Sequence, residues 1–159
     1  MIYFDKEKNA YAFEIENYIA TIDDSTWDNY AGSDRWDIIN GKFVDITNTT
    51  EYKRKIRLSE IEEELKQEDE KYEKVLNTPV EYKNGFFYKP KYVQESYILL
   101  LASNIFPITI WDSTELNSSV MTKEELQELA LFLKNSAEKA FQERKENRKK
   151  LIKEREEIE

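Results

Sequence analysis

The sequence predicts an α+β fold: two small β-hairpin-plus-helix units, bridged by a long amphipathic helix and ending in a long charged C-terminal helix. Three observations carry that expectation. Asn40-Gly41 and Asn84-Gly85 each sit between β-rich runs, and Asn-Gly favours a type I′ hairpin turn because both central residues need positive φ. A stretch free of Gly and Pro from Thr49 to Thr78 carries apolar residues at helical spacing. From Leu126 a second apolar stripe begins, which gives way after Phe141 to a run charged on nearly every side. The implied organisation is a β-rich unit over 1–48, a linking helix over 49–77 and an α+β domain over 78–159.

Taken in order, Ile2, Phe4, Tyr11, Phe13 and Ile15 nearly alternate around "DKEKN", the pattern of a β-hairpin over residues 1–20. In "DDSTWDNYAG", Asp23 or Ser25 can cap a short helix that Gly32 ends, with Trp27 and Tyr30 on one face. "RWDIINGKFVDI" is the first Asn-Gly hairpin. In the linking helix, Leu58, Ile61, Leu65, Tyr72 and Val75 form a near-heptad seam, with Glu68 in its one missing position. Glu62–Lys66 and Glu70–Lys74 are spaced as favourable i,i+4 pairs, each contributing about 0.3 kcal/mol.

"VEYKNGFFY" is the second Asn-Gly hairpin. "KYVQESYILLLASNI" reads as a mostly buried helix, ended by Phe106-Pro107. "ITIWD" and "SSVM" can pair across "STELN", with Trp111 expected in the core and Asp112 to Asn117 as an exposed turn. Thr122 and Glu125 have the spacing of a capping box, and Met121 and Leu126 that of a hydrophobic staple. Leu126, Leu129, Leu133, Ala137, Ala140 and Phe141 then make one stripe. The tail beyond is expected to be a solvated or frayed helical extension.

Absences exclude many functions. With no histidine, Ser–His–Asp catalysis, His-based metal sites and imidazole acid–base chemistry are ruled out. Gly32, Gly41 and Gly85 are the only glycines, and all have turn roles, so neither a phosphate loop nor a dinucleotide fingerprint can be built. No cysteine means no disulfide framework, which fits a reducing compartment. The longest apolar run, "YILLLA", is too short for a membrane span. The N-terminus lacks the basic start and apolar core of a signal peptide. No cofactor or metal is expected.

Two carboxylate groupings invite a chemical reading. Asp112 and Glu115 beside Trp111 could suggest a glycosidase-like pair, but residues three apart in a polar turn are expected to point to water and stay ionised. Asp23, Asp24 and Asp28 lack the alternate spacing, glycine and closing glutamate of a calcium loop, and stabilising a helix N-terminus accounts for them more simply. Tyr82, Phe86, Phe87, Tyr88, Tyr92 and Tyr97, with Lys83, Lys89 and Lys91 interleaved, could stack bases. The net charge of −9 instead favours a core with hydroxyls at its rim, and disfavours direct nucleic-acid binding.

Acidic charge is concentrated. Over 12–46 eight acids, Glu14, Glu16, Asp23, Asp24, Asp28, Asp34, Asp37 and Asp45, stand against Arg35 and Lys42. Over 58–74 eight more, Glu60, Glu62, Glu63, Glu64, Glu68, Asp69, Glu70 and Glu73, stand against Lys66, Lys71 and Lys74. If those segments share a face, Asp23, Asp24, Asp28, Asp34, Asp37, Glu60, Glu62, Glu63, Glu64, Glu68, Asp69 and Glu70 form a partner surface suited to a basic groove.

The second half of the chain, roughly 78–152, resembles a domain of unknown function found in phage tail-fibre-associated proteins. Val80, Tyr82, Gly85, Phe87, Trp111, Val120, Met121 and Thr122 hold the corresponding positions, although the turn "DSTELN" is longer and more polar than the family's. "YFDKEKNAYAF" and the segment around "NGKFVD" are more weakly similar to N-terminal segments of phage tail-fibre assembly proteins. The resemblance implies a phage- or prophage-encoded, non-enzymatic protein-binding module, tail-fibre-associated or an assembly accessory. It carries no catalytic residues. The alternative is an acidic inhibitor of a host defence system, of the anti-CRISPR type, blocking a basic nucleic-acid channel. The expected partner is accordingly a phage tail protein or a basic host nucleoprotein effector, with no membrane. Self-association through the 58–76 helix or the C-terminal helix is a further route. The expected location is the host cytoplasm, or alternatively the virion tail.

Overall fold

A computed structural model describes all 159 residues. The class is α+β, as the patterning predicts. Contacts divide the chain into two compact units, Met1–Glu60 and Ile61–Glu159. The boundary falls inside the long helix rather than at its ends, so the second half of the linker belongs to the second unit.

In the first unit, β1 (Ile2–Phe4) is the middle strand of a small antiparallel sheet, between β2 (Ala10–Tyr11) and β3 (Ala20–Ile22). The expected hairpin over 1–20 is therefore cut short. Asp5 accepts hydrogen bonds from the Glu7 and Asn9 amides and the Tyr11 hydroxyl, closing a tight turn. The chain then leaves the sheet, Phe13 is exposed, and Ala20–Ile22 takes the second edge. Asp23 caps α1 (Asp24–Trp27) by accepting from the Thr26 amide. The hairpin of β4 (Trp36–Ile39) and β5 (Lys42–Asp45) turns at Asn40 and Gly41, with φ of 52° and 72°. Phe4 is fully buried, its ring 5.3 Å from Trp27 and 5.1 Å from Trp36, while Trp36 stacks on Phe43 at 5.3 Å. This aromatic cluster supplies apolar area that strands so short cannot provide by length.

Helix α2 (Thr50–Asn77) opens with the Thr49 hydroxyl accepting the Tyr52 amide. In the second unit, β6 (Val80–Tyr82) and β7 (Phe86–Tyr88) form the second Asn-Gly hairpin with positive φ at Asn84 and Gly85, but Tyr82 pairs with Phe86, so the loop is the three residues Lys83–Gly85 and not the two-residue type I′ turn expected. A π-helical turn, Val93–Tyr97, runs into α3 (Ile98–Ala102). β8 (Ile108–Trp111) and β9 (Ser118–Met121) pair in register, and α4 (Lys123–Ile158) follows. The Thr122–Glu125 capping box forms with both of its hydrogen bonds.

The core of this unit joins Tyr88, Tyr97, Ile110 and Met121 to Leu126, Leu129, Ala130 and Leu133 of α4. Each hairpin thus lays one face on the α4 stripe. One expectation is corrected. The segment through α3 is not mostly buried: Tyr97 is, but Ile98 and Leu99 are exposed, because a short helix on a narrow stripe has only one covered side. Of the two forms expected for the tail, a helical extension and a frayed end, the structure has the first, with α4 helical to Ile158.

Leu129→Ala, which empties a fully buried position, is expected to cost about 3 kcal/mol in chemical denaturation. Thr122→Ala, which removes the cap, should cost about 1 kcal/mol. The buried Tyr97 hydroxyl has no hydrogen-bond partner, so Tyr97→Phe should stabilise the fold by about 1 kcal/mol. A clear loss of stability in that variant would show the hydroxyl to be satisfied.

Candidate functional site

The alternation of β8 decides what its turn can do. Ile108 and Ile110 face the core, so Asp112, two residues on, takes the same side, whereas Thr109 and Trp111 face outward. Trp111 is accordingly 56% exposed and Asp112 only 2% exposed. Both placements reverse the expectation of a buried tryptophan above a solvated carboxylate.

Burial of Asp112 is tolerated because its oxygens are satisfied. They accept from the Thr114 amide at 3.0 Å, the Thr114 hydroxyl at 2.5 Å and the Asn117 side-chain amide at 3.3 Å. Desolvation opposes the charge, but hydrogen bonds from Thr114 and Asn117 outweigh it and hold the pKa below the ordinary carboxylate value. The carboxylate also sits near Tyr88, adding to the rise that burial imposes on that hydroxyl. Glu115 is exposed at the turn with φ of 59°. A carboxylate crowded by donors and kept ionised is the wrong form for a general acid. Asp112 organises the turn.

That turn fixes an outward surface. The Ser113 amide donates to the Phe87 carbonyl at 2.7 Å, joining the end of β8 to the free edge of β7. Glu81 pairs with Phe87 and Thr109 with Val120. All four point away from the α4 core, as does Trp111. Phe87, Trp111, Val120 and Leu116 are exposed on these joined hairpins. Sequence reading missed this surface because a tryptophan beside an apolar run looks like core; the strict alternation of Ile108 and Ile110 was the available signal.

The acidic candidates are largely engaged within their own units. In the first, the Ser25 and Thr26 hydroxyls and then the Thr26 amide lower the pKa of Asp23 to about 2. Asp24 meets the N-terminal ammonium at 2.6 Å. Asp34 accepts from Lys55 and Tyr52, and Asp37 from Lys8 and the Ile38 amide; both carboxyls are held below their usual range, first by the lysine. Asp28 is exposed. Arg57 pairs with Glu60 at 3.2 Å.

In the second unit, Asp69 is gripped by α4, with Arg144 Nε at 2.8 Å and Arg148 Nη1 at 2.7 Å. The Arg144 hydrogen bond leads in lowering its pKa. Glu68, in the seam position, accepts from Lys71 at 2.6 Å and Asn147 at 2.9 Å. Tyr72 meets Phe141 at 6.0 Å, and the Arg144 guanidinium lies 5.1 Å over the Tyr72 ring. Lys66 pairs with Glu70 at 3.8 Å. Glu63 takes a weak hydrogen bond from Gln67, Glu64 is half-buried, and Glu62 is exposed. Glu68 and Asp69 therefore hold the molecule's own α4 and do not present a surface to a partner.

Compared with known proteins, the chain matches no family model, no curated protein and no solved structure. No helix is long and apolar enough to cross a membrane.

Protonation gives a direct check on Asp112. A carboxyl whose folded pKa lies below its unfolded value stabilises the fold above the unfolded value, near 3.8, and loses that contribution as pH falls through the folded pKa. Asp112→Asn should therefore be less stable than wild type at pH 7, and the gap should narrow as pH drops below about 4. A gap independent of pH would mean that the charge of Asp112 plays no part.

Proposed function

We propose that the protein is a non-enzymatic protein-binding module of phage or prophage origin, associated with tail fibres or their assembly. The observation that carries this reading is the outward face of the joined hairpins. Phe87, Trp111, Val120 and Leu116 stand in solvent on a chain whose charge is −9. Exposed tryptophan is the side chain most enriched among residues that dominate binding energy, because its large ring loses little conformational freedom when covered. The hydrogen-bonded turn beneath Trp111 holds the face in shape before any partner arrives, which lowers the ordering cost of binding.

The similarity of Val80, Tyr82, Gly85, Phe87, Trp111, Val120, Met121 and Thr122 to the tail-fibre-associated domain supports a tail protein as the partner class. Such a module would act in the host cytoplasm during assembly or remain in the virion tail. The defence-inhibitor reading draws on the acids instead, and the engagement of Glu68 and Asp69 by α4 leaves it fewer groups.

Titration of the protein against tail-fibre proteins encoded by neighbouring genes tests the proposal, read by interferometry. Binding should weaken at least tenfold in a Trp111→Ala, Val120→Ser variant of unchanged circular dichroism. It should be nearly indifferent to Glu62→Lys, Glu63→Lys, Glu64→Lys. Salt-sensitive binding to a basic nucleoprotein effector, lost in the triple-lysine variant and retained without Trp111, would replace this reading with the inhibitor.

A further inference from the structure

Helix α4 has a flank that α2 leaves open. Phe141, Lys145, Arg148, Lys149, Ile152 and Lys153, together with Arg144 and one acid, Glu156, line a groove there of about 560 Å³. Between residues 144 and 153 six bases stand against one acid, inside a chain that is acidic overall. The groove is not simply a basic patch. Phe141, 40% exposed, and the half-buried Ile152 form an apolar floor about 16 Å long by helical rise. Phosphate backbones are attracted by the walls but gain nothing from that floor, and the net charge repels them. An acid-flanked amphipathic helix matches both walls and floor.

The chain contains such a flank. Glu62, Asp69 and Glu73 recur at spacings of seven and four, which places them in one line along α2. That line borders the groove side of the α2–α4 seam, where Arg144 and Arg148 reach Asp69. The opposite side of the seam is marked by Glu64, Gln67 and Lys71 beside Asn147, Lys150 and Leu151. Acidic flank and basic groove therefore adjoin on one surface, in the arrangement that a two-fold axis makes self-complementary.

We infer that the α2–α4 hairpin is a homodimerisation surface, in which the flank carrying Glu62 and Glu73 of each copy, on either side of the internally paired Asp69, seats on the Lys145–Lys149–Lys153 groove of the other. The product is an antiparallel four-helix bundle. Its surface is separate from the Trp111 face, so the dimer and the tail-binding reading stand or fall independently.

Sedimentation velocity on the full chain, across concentration and ionic strength, provides the test. Wild type should form a dimer that weakens as salt rises. Lys145→Glu, Lys149→Glu, Lys153→Glu and, separately, Glu62→Lys, Glu73→Lys should each be monomeric with wild-type circular dichroism, since all five side chains are exposed. Mixed in equal amounts, the two variants should restore a dimer, because each then offers the other opposite charges at both contacts. A wild type that stays monomeric at all concentrations would overturn the proposal. So would variants that dimerise like wild type, or a mixture that gains no mass. Binding of duplex DNA by a monomeric wild type, lost in the triple-glutamate variant, would assign the groove to nucleic acid instead.

Discussion

The second unit depends on the apolar stripe of α4. A two-stranded hairpin is marginal in water by itself, because half of its backbone groups and one whole face remain wet. Two such hairpins persist here because Leu126, Leu129 and Leu133, all fully buried, give them a common floor. The capping box at Thr122 and Glu125 fixes where the floor begins, so Met121 enters the core as the last residue of its strand. The first unit has no such helix, and the packing of Phe4, Trp27, Trp36 and Phe43 takes its place.

Placing one face of β8 on that floor determines the other face. With Ile108 and Ile110 turned inward, Trp111 has no route to the core, and Asp112 is carried under the turn. Burying a charge there without partners would be costly, and "DSTELN" supplies the donors within five residues. The polar turn is thus the condition under which Asp112 can lie inside while Trp111 faces out. The hydrogen bond from Ser113 to Phe87 ties that turn to the neighbouring hairpin.

Charge shows a similar division. Acidic and basic runs are plain in the sequence, but their pairing is not, because residues 68 and 147 or 69 and 144 are far apart in the chain. The fold brings α2 beside the later part of α4, and what looked like an acidic partner surface and a loose tail becomes one helical hairpin. Its seam uses Glu68 and Asp69, while Glu62 remains outside.

The sequence by itself determined the elements with local causes. Both Asn-Gly turns, the cap at Asp23, the capping box at Thr122, the extent of α2 and the inward stripe of α4 follow from neighbours within a few residues. Only the tertiary structure decided which side of each element would be covered. That choice put Trp111 outside and Asp112 inside, left Ile98 and Leu99 exposed, and joined Asp69 to Arg144 and Arg148. Burial and ion pairing are contacts between distant segments, and periodicity gives an element two distinguishable faces without saying which one the core will take.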